Sequence, residues 1–355
     1  MTPLDSLTAI RRVDRSGMLD LIAELPGHFG QGYATGQRML VPGARPAQVL
    51  FVGMGGSAIS GDLVKALLTA RARVPISVQR TYDLPAWVGP RTLVIASSNS
   101  GDTQETLSAY RQARRRGARL VAVTSGGQLA RLARRDGVPW GVVPAGLPPR
   151  AALGYLAGAP LGCLARAGVS PLRAAQLQAA TTAMARTMRA WRPEIPTRRN
   201  LAKQLAGRLL GRLVIVNGAD GGWEAVVARW RGQLAENAKT LASSHLFPEM
   251  NHNEVNGWEF PPRLLRQCAV LLLTDRDLHP RVQQRMAITA RIIRASGAVV
   301  LPVAVPGPTA VSRLLSMVAL GDYLSVYLAL LHRVDPTPVT RVTYLKRHLQ
   351  RTHTR

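Results

Sequence analysis

One stretch constrains this chain more than any other: Leu50-Phe51-Val52-Gly53-Met54-Gly55-Gly56-Ser57-Ala58-Ile59-Ser60-Gly61-Asp62. An apolar run with the length of a buried strand enters a glycine-rich turn. The turn carries a serine and opens into the helical pattern Leu63-Val64-Lys65-Ala66-Leu67-Leu68. Glycines allow close approach of the backbone to a ligand, and a helix N-terminus presents unpaired N–H groups at the positive end of its dipole. The turn therefore suits a phosphate or another small anion. It is not a P-loop, because no Gly-Lys-Ser/Thr closes it. Nor is it a dinucleotide fingerprint, because Ala58 stands where the third glycine belongs. The plainer alternative is a tight strand-to-helix corner with no ligand.

Around this turn the chain alternates short apolar strands with helices. Strands are expected at Val49–Gly53, Thr92–Ala96 and Leu120–Val123, with helices at Ser60–Leu68 and Thr103–Arg115. The pattern returns after residue 210, with strands at Leu213–Val216, Ala269–Thr274 and Val299–Val303. Helices are expected there at Trp223–Leu241 and Arg281–Ala295. Such alternation implies α/β architecture with parallel sheets and right-handed crossovers. At 355 residues the chain can build two cores. The expected organisation is an N-terminal α/β domain over residues 1–150 and a helical connection over 151–195. A second α/β domain over 196–335 and a C-terminal helix over 336–355 complete it.

Composition narrows the function. Hydrophobic residues make up 46% of the chain, as in a globular protein. No leader with an apolar segment is evident, and no apolar run stands out as a bilayer span. A cytoplasmic, membrane-free protein is expected. Cys163 and Cys268 sit among apolar residues, and no Cys/His spacing suggests zinc, so neither a metal nor a cofactor is expected. The net charge of +26 invites a nucleic-acid reading, but 42 of the 46 basic residues are arginine. That imbalance reads as a compositional bias, aromatics do not interleave with the basic clusters, and no nucleic-acid partner is expected.

The halves differ in chemistry. The loop Ser97-Ser98-Asn99-Ser100-Gly101-Asp102-Thr103 follows the second strand of the first half. Its counterpart in the second half, Asp275-Arg276-Asp277-Leu278-His279-Pro280, is acidic and lacks a hydroxyl cluster. Ligands of open α/β sheets bind beyond the carboxyl ends of the strands, where the Ser57 turn and the Ser98–Thr103 loop both lie. Helix capping by Asp102 or Thr103, with Glu105, would explain one hydroxyl. Three beside a glycine favour phosphate binding by Gly55, Gly56, Ser57, Ser98, Ser100 and Thr103.

Gly53-Met54-Gly55-Gly56-Ser57 together with Ser98-Asn99-Ser100-Gly101-Asp102-Thr103-Gln104-Glu105-Thr106 resembles the sugar isomerase (SIS) domain signature. Further segments resemble the bifunctional phosphoglucose/phosphomannose isomerases. These are Pro149-Arg150-Ala151-Ala152-Leu153-Gly154, Glu236-Asn237-Ala238-Lys239, Pro248-Glu249-Met250-Asn251-His252-Asn253-Glu254, and Asp335-Pro336-Thr337-Pro338-Val339 followed by Leu345-Lys346. They run in the family's order over residues 49–350. Asn99 and Asp102 depart from the family pattern, the second placing a negative charge near the expected phosphate.

The resemblance implies two SIS-type α/β sandwich domains and an aldose–ketose isomerase. It would interconvert glucose 6-phosphate and mannose 6-phosphate with fructose 6-phosphate through a cis-enediol. It further implies Glu236 as base, Arg150 facing the enediolate, and His252 protonating the ring oxygen from a partner subunit of a homodimer. Lys346 would contact substrate oxygens. Taken without the resemblance, Glu236 shares a helix face with Gln233 and Thr240, away from the stripe Val227, Trp230, Leu234 and Leu241. On that reading it could equally be a solvated surface glutamate. Thr337 could leave room for both C2 epimers. The alternatives are a non-catalytic sugar-phosphate-binding SIS regulator and an SIS isomerase for another sugar phosphate.

Overall fold

The computed structural model describes residues 3–41 and 43–352. The first two residues of the expected N-terminal domain and the last three of the expected C-terminal helix lie outside these. Two sheets form the frame. The first contains β1 (Gln48–Val52), β2 (Ile76–Gln79), β3 (Thr92–Ser98), β4 (Arg119–Thr124) and β5 (Trp140–Val142), in the order β2-β1-β3-β4-β5. The second contains β6 (Leu213–Ala219), β7 (Ala242–Phe247), β8 (Cys268–Leu273) and β9 (Val299–Val303), in the order β7-β6-β8-β9. Every pairing is parallel. The first four strands of each sheet thus follow one order, so the duplication seen in the sequence is one of topology. β1, β3 and β8 are buried almost end to end, as strands covered on both faces must be.

Three helices precede the first sheet: α1 (Leu7–Val13), α2 (Met18–Ala23) and α3 (Leu25–Gln37). Those accompanying it are α4 (Gly56–Leu68), α5 (Gln104–Arg115) and α6 (Gly127–Arg135). The connection supplies α7 (Leu153–Arg166), α8 (Ala174–Met188) and α9 (Leu201–Leu209). The second sheet has α10 (Glu224–Glu236), the short α11 (Pro262–Leu265) and α12 (Pro280–Ala295), followed by α13 (Ala310–Leu331) and α14 (Thr340–Thr352). One apolar cluster runs from Leu4 to Leu330 and joins both sheets through α3, α7, α8 and α13.

Two pieces of local packing place the site. Gly154, Gly158 and Gly162 recur every fourth residue on α7, facing Gly32 and Gly36 of α3. A Cβ on Gly36 would lie 1.8 Å from the Ala159 carbonyl oxygen, and one on Gly162 would lie 2.1 Å from that of Tyr33. The two backbones therefore touch, which fixes α7 and the Pro148–Ala152 turn leading into it. α13 is the core pillar. Its 22 residues are long and apolar enough to cross a membrane, contrary to the reading that no such run stands out, but 94% of its apolar window is buried inside the fold.

Some elements differ from expectation. The helix after the Gly-rich turn begins at Gly56, four residues early, which puts Ser57 in its first turn. The helix expected over Trp223–Leu241 ends at Glu236. Lys239 adopts a left-handed φ of 55°, which the right-handed helix cannot accommodate, and the chain leaves as β7. Leu241, read as part of an apolar stripe, is 80% exposed, and Gln233, read beside Glu236 on the outer face, is buried. β2, β5 and β7 had no sequence signature. Each lies at a sheet edge, where short strands need no long apolar run.

Candidate active site

The Gly-rich turn and the Ser98–Thr103 loop lie side by side. Gly55 has a φ of 51°, a conformation that favours glycine, and α4 starts directly after it with no side-chain cap. The N–H groups of Gly56 and Ala58 find no acceptor among the described residues. α5 also lacks a side-chain cap, and Gln104, Glu105 and Thr106 leave their N–H groups free in the same sense. The hydroxyls order the loop between these helix ends. Ser98 Oγ lies 2.9 Å from Thr103 Oγ1 and accepts from the Gly101 N–H at 3.1 Å. Ser57 Oγ accepts from the Asn99 N–H at 3.2 Å, and Ser100 Oγ accepts from the Asp102 N–H at 3.3 Å. Asp102, whose charge lies beside this loop, is engaged on the α6 side. Its Oδ1 accepts from the Gln128 N–H at 2.8 Å and serves the start of α6.

Arg150 closes on this loop. The Asn99 amide Nδ2 donates to the Leu147 carbonyl at 3.2 Å, and a Cβ on Gly56 would lie 3.1 Å from the Pro149 carbonyl oxygen. Gly56 thus lets the Arg150 turn approach closely, and a side chain there would press on it. The Arg150 side chain is 4% exposed and tightly held. Nε donates to Asn237 Oδ1 at 2.6 Å, and Nη2 donates to the carbonyls of Pro336 and Thr337 at 2.8 and 2.6 Å. Nη1 reaches Glu236 Oε2 at 3.5 Å. Of five N–H donors, four are thereby used and one Nη1–H remains. Burial pulls the guanidinium pKa down, and the Glu236 carboxylate opposes that shift. Glu236 ends α10 with its side chain 39% exposed, open on the side away from Arg150. A carboxylate beside a fixed cation and two open helix N-termini can move a proton on a bound anion and stabilise negative charge as it develops.

Lys239 and Asn237 were quoted in a motif but given no role by the sequence. Lys239 Nζ gathers the carbonyls of Glu236, Pro336 and Pro338 at 2.5, 3.1 and 2.8 Å. It ties the end of α10 to the Asp335–Pro338 strap. Asp335 Oδ1 accepts from the Thr337 N–H at 2.9 Å and turns that strap, whose carbonyls hold Arg150. The signal lay in the four-residue spacing of the motif, but nothing local says that a lysine will collect carbonyls.

Gly55, Gly56, Ser57, Ser98, Ser100, Thr103, Arg150 and Glu236 thus share one region. His252 and Lys346 are not joined to it. His252 is exposed just after the 3-10 turn Glu249–Asn251, and Lys346 is exposed on α14. No hydrogen bond or ion pair among the described residues links either to Arg150 or Glu236. A cavity of about 610 Å³ lies elsewhere, at the outer edge of β7. Asp62, Asp220, Glu224, Glu249 and Glu254 line it. Its acids would repel a phosphate, so size does not mark the site here.

Comparison with known proteins agrees with this layout. Residues 44–136 match the SIS domain family, and residues 198–349 match the bacterial phospho-glucose isomerase C-terminal SIS domain. A bifunctional phosphoglucose/phosphomannose isomerase of Caldicellulosiruptor bescii is 37% identical over 94% of this chain and 98% of its own length. One from Aquifex aeolicus is 34% identical over 85% of this chain and 90% of its own. The crystal structure of a hypothetical protein of Thermus thermophilus superposes with a TM-score of 0.74 at 17% identity. It covers 98% of this chain and 94% of that one, a likeness of fold. At these identities over most of both lengths, the chain belongs to the bifunctional phosphoglucose/phosphomannose isomerase family.

Proposed function

We propose that this protein interconverts glucose 6-phosphate and mannose 6-phosphate with fructose 6-phosphate. The observation that carries this is the Arg150–Glu236 pair set beside the uncapped N-termini of α4 and α5. The phosphate takes the free N–H groups of both helices with the hydroxyls of Ser57, Ser98, Ser100 and Thr103. The open sugar then extends toward Glu236. Its carboxylate removes the proton from C2 of the aldose, or from C1 of the ketose, and returns it to the neighbouring carbon. The intermediate cis-enediolate carries its charge against the remaining Nη1–H of Arg150, which is oriented before the reaction begins.

Ring opening needs a proton donor and acceptor that one chain does not bring together. We assign these roles to Lys346 and to His252 contributed by the second subunit of a homodimer. Two features support that assembly. His252 is exposed on a segment pinned by Asn251 Nδ2 donating to Thr289 Oγ1 at 2.8 Å and by the His245–Glu254 contact at 3.3 Å. In addition, α14 exposes Val342, Leu345 and Leu349 at helical spacing, a face suited to burial in an assembly. A cytoplasmic location accords with this substrate.

The test is an assay on fructose 6-phosphate in the presence of EDTA that follows glucose 6-phosphate and mannose 6-phosphate separately. Both products, at a rate unchanged by EDTA, are expected. Neither product would overturn the reading. Glu236→Gln is expected to lower kcat by ~10²–10⁴-fold or more, and near-normal turnover in that variant would remove the assigned base.

A further inference from the structure

Behind Arg150 lies a closed circuit of hydrogen bonds. Starting from the side chain, Arg150 Nε donates to Asn237 Oδ1 at 2.6 Å, and Asn237 Nδ2 donates to Ser325 Oγ at 3.0 Å. Ser325 Oγ donates to the Asp322 backbone carbonyl at 2.8 Å. The Asp322 carboxylate accepts from Arg229 Nε and Nη2 at 2.9 and 2.7 Å, and from Gln233 Nε2 at 2.8 Å. Arg229 Nη2 then donates to the Arg150 backbone carbonyl at 2.9 Å, which completes the ring. All six residues are buried: Asn237 and Ser325 fully, Asp322 at 2% exposure, and Arg150, Arg229 and Gln233 at 4% each.

The circuit holds Arg150 at two points, its backbone and its side chain, and refers both to one residue of the core pillar α13. Arg229, Gln233, Glu236 and Asn237 also follow one another on a single face of α10, so the same circuit sets the helix end that carries Glu236. Burial of two guanidiniums and a carboxylate costs several kcal/mol per ion before their mutual attraction is counted, and apolar packing would stabilise the contact equally well. Orientation is what this arrangement adds.

We propose that residue 322 positions Arg150 for the isomerisation by two routes: the Asp322 carboxylate, through Arg229, fixes the Arg150 backbone, and the Asp322 backbone carbonyl, through Ser325 and Asn237, fixes the guanidinium in the orientation that meets the enediolate. This rests on the reading of Arg150 and Glu236 as the groups that act on the sugar.

Four purified variants test it, each assayed for fructose 6-phosphate turnover and for binding of a five-carbon phosphorylated hydroxamate, a mimic of the enediolate. In Asp322→Asn, kcat is expected to fall ~10–100-fold, the range for groups that orient a reacting residue from behind. KM should stay within about twofold, and affinity for the mimic should fall by the same factor as kcat. A purely structural role would lower the melting temperature without this split. Should Asp322→Asn fail to fold, Ser325→Ala breaks the circuit without changing charge. Of the two hydrogen bonds lost there, the one from Asn237 bears on the Arg150 side chain, and its loss predicts a kcat lowered about 2–10-fold at unchanged KM. The double variant Asp322→Asn/Arg229→Gln, with charge balance restored, is expected to recover thermal stability but not kcat. Wild-type kcat and mimic affinity in Asp322→Asn, or in Ser325→Ala where the first does not fold, would overturn the proposal, provided Glu236→Gln is inactive. An active Glu236→Gln would overturn the underlying reading instead.

Discussion

The two sheets share a strand order yet furnish the loops before their helices differently. In the first, α4 and α5 begin without side-chain caps, and N–H groups of their first turns have no acceptor among the described residues. In the second, α10 also begins without a side-chain cap, but carboxylates fill the turn before it and His279 caps α12. Glu224 Oε2 takes the Gly222 N–H at 2.6 Å, and Asp220 Oδ1 takes that of Gly221 at 2.8 Å. His279 Nδ1 accepts from the Arg281 N–H at 3.1 Å, and Pro280 has no N–H to satisfy. Asp275 and Asp277 are held by Arg313. One half leaves room for an external anion; the other has internalised the anion as carboxylates. The same fold therefore becomes a binding site or a scaffold according to a few residues at strand ends.

Exchange of these features should break the distinction. Asp275→Asn leaves the 3%-exposed Arg313 short of its bidentate partner, so a stability loss of about 3 kcal/mol is expected, with KM for fructose 6-phosphate unchanged. Urea denaturation alongside the assay checks this, and a raised KM would show that the second half also meets substrate. Ser100→Asp gives the first half the character of the second. Repulsion of several kcal/mol predicts a KM raised ~10²-fold or more with folding intact. Ser57→Ala removes a single hydroxyl from an otherwise intact helix end. Loss of one bond to a charged group, about 1.5–3 kcal/mol, predicts a KM rise of at least ~10-fold. A rise below twofold would mean that the backbone alone binds phosphate.

The smallest effect concerns the α3–α7 contact that carries the Arg150 turn. His28 is buried and stacks on Tyr155 at 4.5 Å, and burial lowers its pKa while Glu24 opposes the shift. The folded state then binds fewer protons than the unfolded chain below the ordinary histidine value of ~6.5. Stability is therefore full above that pH and declines as the pH falls through it toward the lower folded value, by at most ~1.4 kcal/mol per pH unit. His28→Gln should flatten that slope in urea melts between pH 7 and 5.

What could be read in advance follows from what each signal encodes. Apolar periodicity and glycines mark burial and close approach, so β1, β3, β4, β6, β8, β9 and the start of α5 were legible, while α4 begins four residues before its expected start. The motif at Glu236-Asn237-Ala238-Lys239 marked the residue proposed as base. It did not disclose that the helix stops there, because the left-handed turn at Lys239 follows from carbonyls a hundred residues away. Asp322 and Ser325 sit in an apolar helix with nothing local to pair them with Asn237 and Arg229. Long-range polar pairing leaves no periodic trace. The roles of His252 and Lys346 came from resemblance, and no hydrogen bond or ion pair among the described residues links them to Arg150 or Glu236.

Lys239 also bears on how such a sequence can drift. The chain writes arginine at 42 positions and lysine at four, Lys65, Lys203, Lys239 and Lys346. Two of those four point an ammonium into converging carbonyls: Lys239 takes three, and Lys203 takes those of Pro193 and Ile195, both at 2.8 Å. A planar guanidinium cannot present three donors tetrahedrally from one atom. At these two places an arginine could not keep the same contacts, so Lys203 and Lys239, unlike the exposed Lys346, mark where the geometry of the donor matters as well as its charge.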